Sequence, residues 1–156
     1  FKAEMALCSG CTSRVFEAVY ADWGEALQTK ISTELLKDPN LNAIMGNYDD
    51  PVLNGIAAAA ATSGRDIYVT GEAGYPGMID LIRQGKADMT IGYDGAMEAW
   101  GSIERLNRIF NGDTEMFNIG LGLQLIDAEH NMPPEGQNYQ APVDYVGAYK
   151  AAWGVS

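Results

Sequence analysis

The sequence predicts an α/β fold in which a parallel sheet is flanked by helices in three layers. Short apolar segments alternate with stretches of helical length along most of the 156 residues, a pattern typical of βαβ units. Hydrophobic residues make up 47% of the chain and charged residues 20%, so one domain can bury a sizeable core. Right-handed crossovers would place successive strands side by side.

The first half of the chain alternates between predicted strands and helices. Weak alternation over 2–8 predicts a strand that ends in a Ser-Gly loop. Apolar residues that recur every three or four positions predict a helix over 25–36. The segment 41–46 is the next predicted strand, the alanine-rich segment 51–62 is a helix that can lie close to a sheet, and 66–70 is a further strand.

The second half continues the pattern and then becomes irregular. Predicted are a helix from Pro76 to Gly85, a strand over 89–92, a long helix over 96–111, an extended segment over 117–126 and a short helix over 143–152. The Pro- and Gly-rich stretch 132–142 should be irregular, lying across a surface rather than linking two domains.

The charge balance limits the classes of partner. Ten basic against twenty-one acidic residues give a formal charge of −11, which opposes nucleic acid and anionic membrane surfaces. No apolar run approaches the roughly 20 residues of a membrane helix. Phe1 opens the chain without a signal-peptide pattern, so we expect further residues upstream in the natural protein. The expected partner is neutral or cationic, and no cofactor is indicated.

Two aspartates follow the predicted strand 41–46, at the end of the strand where a parallel sheet usually binds ligand. Pro51 suits the first helical position because its missing donor would be unpaired there. Asp50 would then cap the amides of the first turn. Asp49 would point into the crevice where open α/β sheets hold small molecules. We therefore expect Asp49 to contact a ligand.

Three stretches of sequence carry a resemblance to a known family. They are Asp38-Pro-Asn-Leu-Asn-Ala-Ile-Met-Gly-Asn-Tyr-Asp-Asp-Pro-Val-Leu-Asn-Gly, the run from Ile67-Tyr-Val-Thr-Gly-Glu to Asp88-Met-Thr-Ile, and the ending Pro142-Val-Asp-Tyr-Val-Gly-Ala-Tyr-Lys-Ala-Ala-Trp-Gly. Their order and spacing resemble the second, carboxyl-terminal lobe of type I periplasmic binding proteins, the sugar receptors of ABC importers. The similarity covers most of the chain.

The resemblance implies a ligand site built from four side chains. Trp23, in Ala21-Asp-Trp, is similar to the family's aromatic that packs on a sugar ring, although it could also be a core or helix-start aromatic. Asp49 matches the family's Asn or Asp at a strand end, where a carboxylate accepts from two hydroxyls. Tyr93 stands at a polar hinge position, and Glu72 can replace an Asp that the family has where this chain has Ala73.

The resemblance also implies how the chain works. Residues 1–156 would be one lobe of a two-lobe receptor that delivers a small polar ligand, a sugar or related polyol, to an ABC permease without chemical change. The protein would then be no enzyme, and would be periplasmic or extracellular, associated with the membrane through the transporter. Segment 94–116 would pack on the absent amino-terminal lobe. Its apolar stripe would otherwise be exposed, so the chain could dimerise.

The cysteines leave more than one reading open. Cys8 and Cys11 enclose Ser-Gly, which fits a short disulfide, a redox pair or half of a zinc site. Zinc needs four ligands, and the sequence adds only the distant His130, expected in a solvated loop. We favour a disulfide formed in an export compartment, with two free thiols as the alternative. No metal site is predicted.

Two other functions remain as alternatives. One is the effector-binding domain of a lactose-repressor-type transcription regulator, which shares the fold. The other is a flavodoxin-like, metal-dependent enzyme that uses Asp49 and Asp50 as paired carboxylates. Asp50 has a capping role in the reading above, and no third acid is placed near the pair by sequence.

Overall fold

The structure is a computed structural model that describes residues 2–115 and 117–156. Phe1 and Met116, the last residue of the segment 94–116, lie outside the described residues. The helices are α1 (Lys2–Met5), α2 (Glu25–Lys37), α3 (Asp49–Pro51), α4 (Ala57–Thr62), α5 (Pro76–Arg83), α6 (Gly95–Phe110) and α7 (Tyr145–Trp153). The strands are β1 (Ala43–Met45), β2 (Tyr68–Ala73), β3 (Met89–Gly92) and β4 (Gln124–Asp127). A 3₁₀ turn, Tyr20–Asp22, precedes α2, and a wide, kinked turn, Val52–Ile56, whose backbone is not helical at Asn54 and Gly55, joins α3 to α4.

The described strands form one mixed sheet in the order β1-β2-β3-β4. Strands β1, β2 and β3 are parallel, with Met45 beside Thr70 and Ala73 beside Gly92. Because each crossover carries a helix, the parallel part has the βαβ connections that the alternating pattern predicted. The predicted α/β class, a sheet flanked by helices, is confirmed.

Strand β4 runs antiparallel to β3, whereas the sequence predicted a parallel sheet. It begins at Gln124 opposite Gly92 and ends at Asp127 opposite Met89. A parallel return would need α6 to lie across the sheet as a crossover. Instead α6 packs against α7, and the coil after α6 enters the sheet at the carboxyl end of β3.

One hydrophobic core joins β2 to the helices α2, α4 and α5. Its buried side chains are Leu27, Ile31 and Leu35 of α2, Ala57, Ala59 and Ala60 of α4, Val69 of β2, and Met78 and Ile82 of α5, together with Val52, Ile56, Ile67 and Ala87. The spacing in α2 is the helical stripe predicted from the sequence. Small alanine side chains let α4 lie close to its neighbours.

The opposite face of the sheet is more open. Met45, Tyr68 and Leu125 are exposed there, although Val69 and Ile126, the strand neighbours of Tyr68 and Leu125, are buried. Side chains alternate between the two faces along a strand. In the part of the chain that the structure describes, these three positions are therefore not covered by a helix.

The turn between α2 and β1 is held by one guanidinium. Arg65 donates to the backbone carbonyls of four residues: Leu35, Asp38, Pro39 and Leu41. Carbonyls at the end of a helix have no partner within it, and a cation there also interacts favourably with the helix dipole. Arg65 thus fixes where β1 begins relative to the end of α2.

The irregular segment before α7 crosses the carboxyl ends of β2 and β3. The backbone amide of Tyr139 donates to the carbonyl of Gly74 at 3.3 Å. Asp94 caps α6 by accepting from the amides of Ala96 and Met97, and its other oxygen accepts from the amide of Ala141 at 2.9 Å. The predicted irregular stretch is thereby tied to the start of α6.

The first residues differ from the prediction. Segment 2–8, expected to be a strand, begins with the exposed helix α1, and Cys8 and Cys11 form a disulfide after it. Lys, Ala, Glu and Met are good helix formers, and the weak alternation of this segment would bury no apolar face in a sheet. The predicted strand is therefore wrong.

Helices α6 and α7 pair through stacked aromatic rings. The Trp100 ring lies 5.4 Å from that of Trp153 and 6.1 Å from that of Tyr149, measured between centroids. Beyond this contact, Ile103, Leu106 and Phe110 of α6 are exposed, Phe110 at 84%. Over residues 2–115 and 117–156, no helix is long and apolar enough to span a bilayer.

Candidate functional site

The candidate site lies where β1 ends and the next helix begins. Helix α3 starts at Asp49, with Tyr48 as its N-cap and Pro51 as its third residue. The sequence predicted Pro51 at the first helical position and Asp50 at the cap, and that prediction is wrong. The first four amides of a helix lack intrahelical partners, so proline is tolerated throughout the first turn. The helix can therefore include both aspartates.

Asp49 points into the sheet, not into a crevice. Its side chain is 0% exposed. One carboxylate oxygen accepts from the Tyr75 amide at 2.8 Å, and the other accepts from the Thr90 hydroxyl at 2.7 Å. Burial raises the pKa of Asp49, and the bonds from Tyr75 and Thr90 oppose that shift. The expectation that Asp49 faces the ligand crevice is not met.

A glycine on β2 makes room for this carboxylate. A Cβ atom at Gly71 would collide with Oδ1 of Asp49 and press on Met78. Position 71 therefore requires glycine for close approach, not for backbone freedom. The acid, the glycine and Thr90 form one unit that ties α3 to β2 and β3.

Asp50 occupies the position that the sequence analysis gave to Asp49. It lines an open pocket of about 620 Å³, a size typical of small-molecule sites. The pocket is lined by Tyr20, Trp23, Tyr48, Asp50, Asn54 and Tyr75. Successive residues of a helix point about 100° apart, so one aspartate of the pair turns inward while the other turns to the pocket.

One wall of the pocket is aromatic. The rings of Tyr20 and Trp23 are tilted by 52°, with centroids 4.7 Å apart. Tyr20 is 80% exposed, whereas Trp23 is half-buried and also packs against the core. Trp23 is therefore anchored in the core and also borders the pocket.

The wide turn Val52–Ile56 connects that wall to the acidic corner. The Gly24 amide donates to the Asn54 carbonyl at 2.5 Å, and the Asn54 side chain donates to the Asp50 carbonyl at 2.8 Å. Gly55 brings the turn so close to Leu27 that a Cβ atom would lie 3.0 Å from it.

Glu72 and Tyr93 lie beside the pocket without lining it. Burial raises the pKa of Tyr93, and the charges of Tyr75, Glu98 and Glu72 raise it further. The pKa of Tyr75 is also raised, first by burial and then by the charge of Asp50. Acidic side chains therefore lie close to both phenols. Of the four predicted contact residues, the structure brings only Trp23 to the pocket wall.

Sequence reasoning missed five of the six pocket residues as ligand contacts. Asp50 was assigned to capping, and Tyr20, Tyr48, Asn54 and Tyr75 were not singled out. A usable signal existed, because Tyr48 and Tyr75 both follow predicted strands of a parallel sheet. The carboxyl ends of such strands meet at one edge.

The remaining candidate groups do not line this pocket. His130 is exposed and its Nδ1 lies 2.9 Å from Oδ1 of Asp127, in a loop after β4. Among residues 2–115 and 117–156, no three His, Cys, Asp or Glu side chains are grouped as metal ligands would be. The paired-carboxylate alternative needs two accessible acids, and Asp49 is inaccessible.

No protein-family model matches the sequence. No curated protein is similar to it at a significant level. Solved structures do match. A solute-binding protein of an ABC transporter from Agrobacterium vitis, solved with α-D-tagatopyranose, has a TM-score of 0.70 and 20% identity, covering 85% of this chain and 45% of that one. A second from the same organism, solved with D-fucose, has a TM-score of 0.63 and 14% identity, covering 78% and 42%.

A third match is a periplasmic solute-binding protein from Actinobacillus succinogenes 130z, solved with D-allose. Its TM-score is 0.60 at 24% identity, covering 70% of this chain and 39% of that one. The chain thus spans less than half of the length of each of these structures. It has the type I periplasmic binding protein fold that its sequence predicted, in the portion that these sugar-binding structures share with it.

Proposed function

We propose that this chain is the carboxyl-terminal lobe of an ABC-importer receptor and that it binds a sugar or a related small polyol. One observation carries the proposal. An open pocket lined by aromatic and polar side chains lies at the carboxyl end of a parallel strand, on a fold shared with structures solved with sugars. Ligands of open α/β sheets bind at that end.

Trp23 and Asp50 are the proposed direct contacts. An indole face suits the C–H surface of a sugar ring, and a carboxylate accepts hydrogen bonds from hydroxyls. Asp49 is proposed as a positioning residue, because its hydrogen bond from the Tyr75 amide fixes one side of the pocket. Glu72 and Tyr93 are the proposed contacts for a ligand that extends past Tyr75, since Tyr75 and Glu72 both lie close enough to Tyr93 to raise its pKa.

Binding would stabilise a closed arrangement of two lobes over an open one, and the ligand would leave unchanged. The protein would then act as a receptor and not as an enzyme. It would work in the periplasm or at the extracellular surface, meeting the membrane through its permease. The disulfide between Cys8 and Cys11 suits such an oxidising compartment.

Segment 94–116 is the proposed contact with the amino-terminal lobe. Helix α6 carries Ile103, Leu106 and Phe110 in an exposed row, and exposed apolar patches commonly mark interaction sites. When the amino-terminal lobe is absent, the same row is proposed to bring two copies of this chain together.

The test uses nuclear magnetic resonance of the ¹⁵N-labelled chain, titrated with neutral sugars that include D-allose and D-fucose. The chain has three tryptophans, whose indole signals report on separate places. We expect the Trp23 signal to shift with an affinity of about millimolar, since one lobe provides only part of the contacts. The signals of Trp100 and Trp153 should not move.

Two variants complete this test. Trp23→Phe should weaken the response of neighbouring amides, and Trp100→Phe, a matched change outside the pocket, should leave it intact. Equal shifts of all three indoles, or none with any sugar at high concentration, would contradict the proposal. Micromolar affinity of the chain alone would contradict the need for a second lobe.

A further inference from the structure

The pocket combines several aromatic rings with a single charge. Four of its six lining residues are aromatic, one is Asn54, and Asp50 is the one charged side chain among them. Tyr48 is 48% exposed and Tyr75 37%, so parts of their surfaces are available to a ligand. An aromatic ring carries negative potential on its face, which adds to the field of the carboxylate.

No cation of the lining set offsets that field. Lys30, on the helix that follows Trp23, is held by Asp22 at 2.6 Å. The buried carboxylate of Asp49 lies behind the pocket wall and is bonded to the amide of Tyr75. The formal charge of the whole chain is −11. A bound ligand would therefore enter a region of negative potential.

We infer that the pocket selects a sugar that carries a protonated amine over neutral and anionic sugars, because Asp50 lies among the rings of Trp23, Tyr48 and Tyr75. This inference rests on the proposed function. The ammonium group donates to the Asp50 carboxylate, a charge-assisted bond stronger than one between neutral groups. The neighbouring rings attract the same cation through their faces. Hydroxyls of the sugar bind to Asn54 and to the tyrosine phenols.

The same arrangement disfavours acidic sugars. A sugar carboxylate or phosphate would lie near Asp50, and the six lining residues offer it no Lys or Arg. Like charges close to each other repel. The order of affinity is therefore amino sugar, then neutral sugar, then acidic sugar.

The test compares four ligands that share one ring: D-glucosamine, D-glucose, N-acetyl-D-glucosamine and D-glucuronate. The Trp23 indole shift of the labelled chain is followed at about pH 6, where a primary amine is protonated. We expect D-glucosamine to bind about tenfold more tightly than D-glucose, as a cation–π contact with a charge-assisted bond allows. The neutral N-acetyl derivative should lose that advantage.

Variants connect the preference to one carboxylate. Asp50→Asn should bring D-glucosamine and D-glucose to equal affinity, while Asp66→Asn, a matched change of an exposed acid outside the pocket, should keep the tenfold difference. Circular dichroism verifies that both variants fold. Tyr48→Leu should weaken the binding of D-glucosamine and reduce its preference over D-glucose without abolishing it, because Asp50 remains.

The outcomes separate this inference from the proposed function. If D-glucose and D-glucosamine shift Trp23 with equal affinity, the inference is overturned and the sugar receptor stands. If none of the ligands shifts Trp23, both are overturned. If the preference for D-glucosamine survives in Asp50→Asn, the inference is overturned, since a group other than Asp50 would then bind the ammonium.

Discussion

At the scale of single residues, Asp49 shows how a buried acid organises a binding edge. Its two oxygens accept from the Tyr75 amide and the Thr90 hydroxyl, so one side chain links the starts of α3 and α5 to β3. The contact exists because Gly71 has no side chain. Loss of water around the carboxylate raises its pKa, although both bonds favour the ionised form.

The raised pKa gives a testable dependence of stability on pH. The stabilisation from this acid is fully present below its unfolded pKa and is lost as pH rises through the higher folded value. Asp49→Asn resembles the protonated acid and has no charge to bury. We therefore expect the free energy of unfolding of the native chain to fall relative to that of the variant as pH rises from 3.8 through the folded pKa. Urea denaturation at a series of pH values measures this difference.

Asp66→Asn is the control for that experiment, because Asp66 is exposed and its substitution should leave the pH profile nearly parallel to that of the native chain. Other acids, such as Glu34, have lowered pKa values through hydrogen bonds to Lys37 and Arg14. They act equally in both proteins and cancel in the comparison. A constant difference between the native chain and Asp49→Asn at all pH values would contradict the account.

The residue scale also shows where sequence reasoning fails. The Tyr-Asp-Asp-Pro pattern correctly predicted a helix start with acids at the end of a strand. Which acid faces the pocket depends on whether the helix begins at Asp49 or after it. One step along a helix turns a side chain by about 100°, so an error of one or two residues at a boundary exchanges the roles of Asp49 and Asp50.

At the scale of elements, α6 and α7 are joined by a carboxylate between an indole and a guanidinium. Trp153 Nε1 donates to Glu104 at 2.5 Å, and Arg108 Nε donates to its other oxygen at 2.6 Å. Glu104 is 9% exposed. The bond from Trp153, followed by that from Arg108, lowers the pKa of Glu104.

Trp153→Phe tests this link. The variant keeps an aromatic ring and removes the N–H, so we expect a loss of about 1–3 kcal/mol in the free energy of unfolding. The pKa of Glu104 should rise toward its ordinary value, which a carboxyl titration by nuclear magnetic resonance measures. Trp100→Phe, which alters the same ring stack and spares the bond, should leave that pKa unchanged. Equal pKa changes in the two variants would disprove the role of the N–H.

Helices were easier to predict than strands in this chain. The stripes of α2, α5 and α6 were visible as apolar residues at helical spacing, and their bounds lie within a few residues of those predicted. Strand β4 was predicted as extended, but its direction depends on the path of α6, which no local pattern records. The predicted strand over 2–8 rested on a weak alternation of residues with no partner strand, and α1 formed there instead.

At the scale of the whole molecule, apolar surface is left on α6. Ile103, Leu106 and Phe110 are exposed in one row. We expect the chain to associate as its concentration rises, which multi-angle light scattering and sedimentation velocity measure. Phe110→Ser should reduce association, because it removes the most exposed apolar side chain of the row.

Leu36→Ser provides the matched control. Leu36 is as exposed as Phe110, at 86% against 84%, but it lies on α2, where Leu27, Ile31 and Leu35 face the core. Its loss should not change association. A monomer at all concentrations, or an equal effect of both substitutions, would show that the row on α6 does not direct association.

The bond between the Gly24 amide and the Asn54 carbonyl has a thermodynamic consequence for recognition. It joins the segment that carries Trp23 to the turn beside Asp50, although thirty residues of chain separate them. The conformational entropy needed to bring indole and acid together is lost when the protein folds, not when a guest arrives. Binding then costs less free energy for ordering the pocket residues, and even an open cavity can discriminate between closely related ligands.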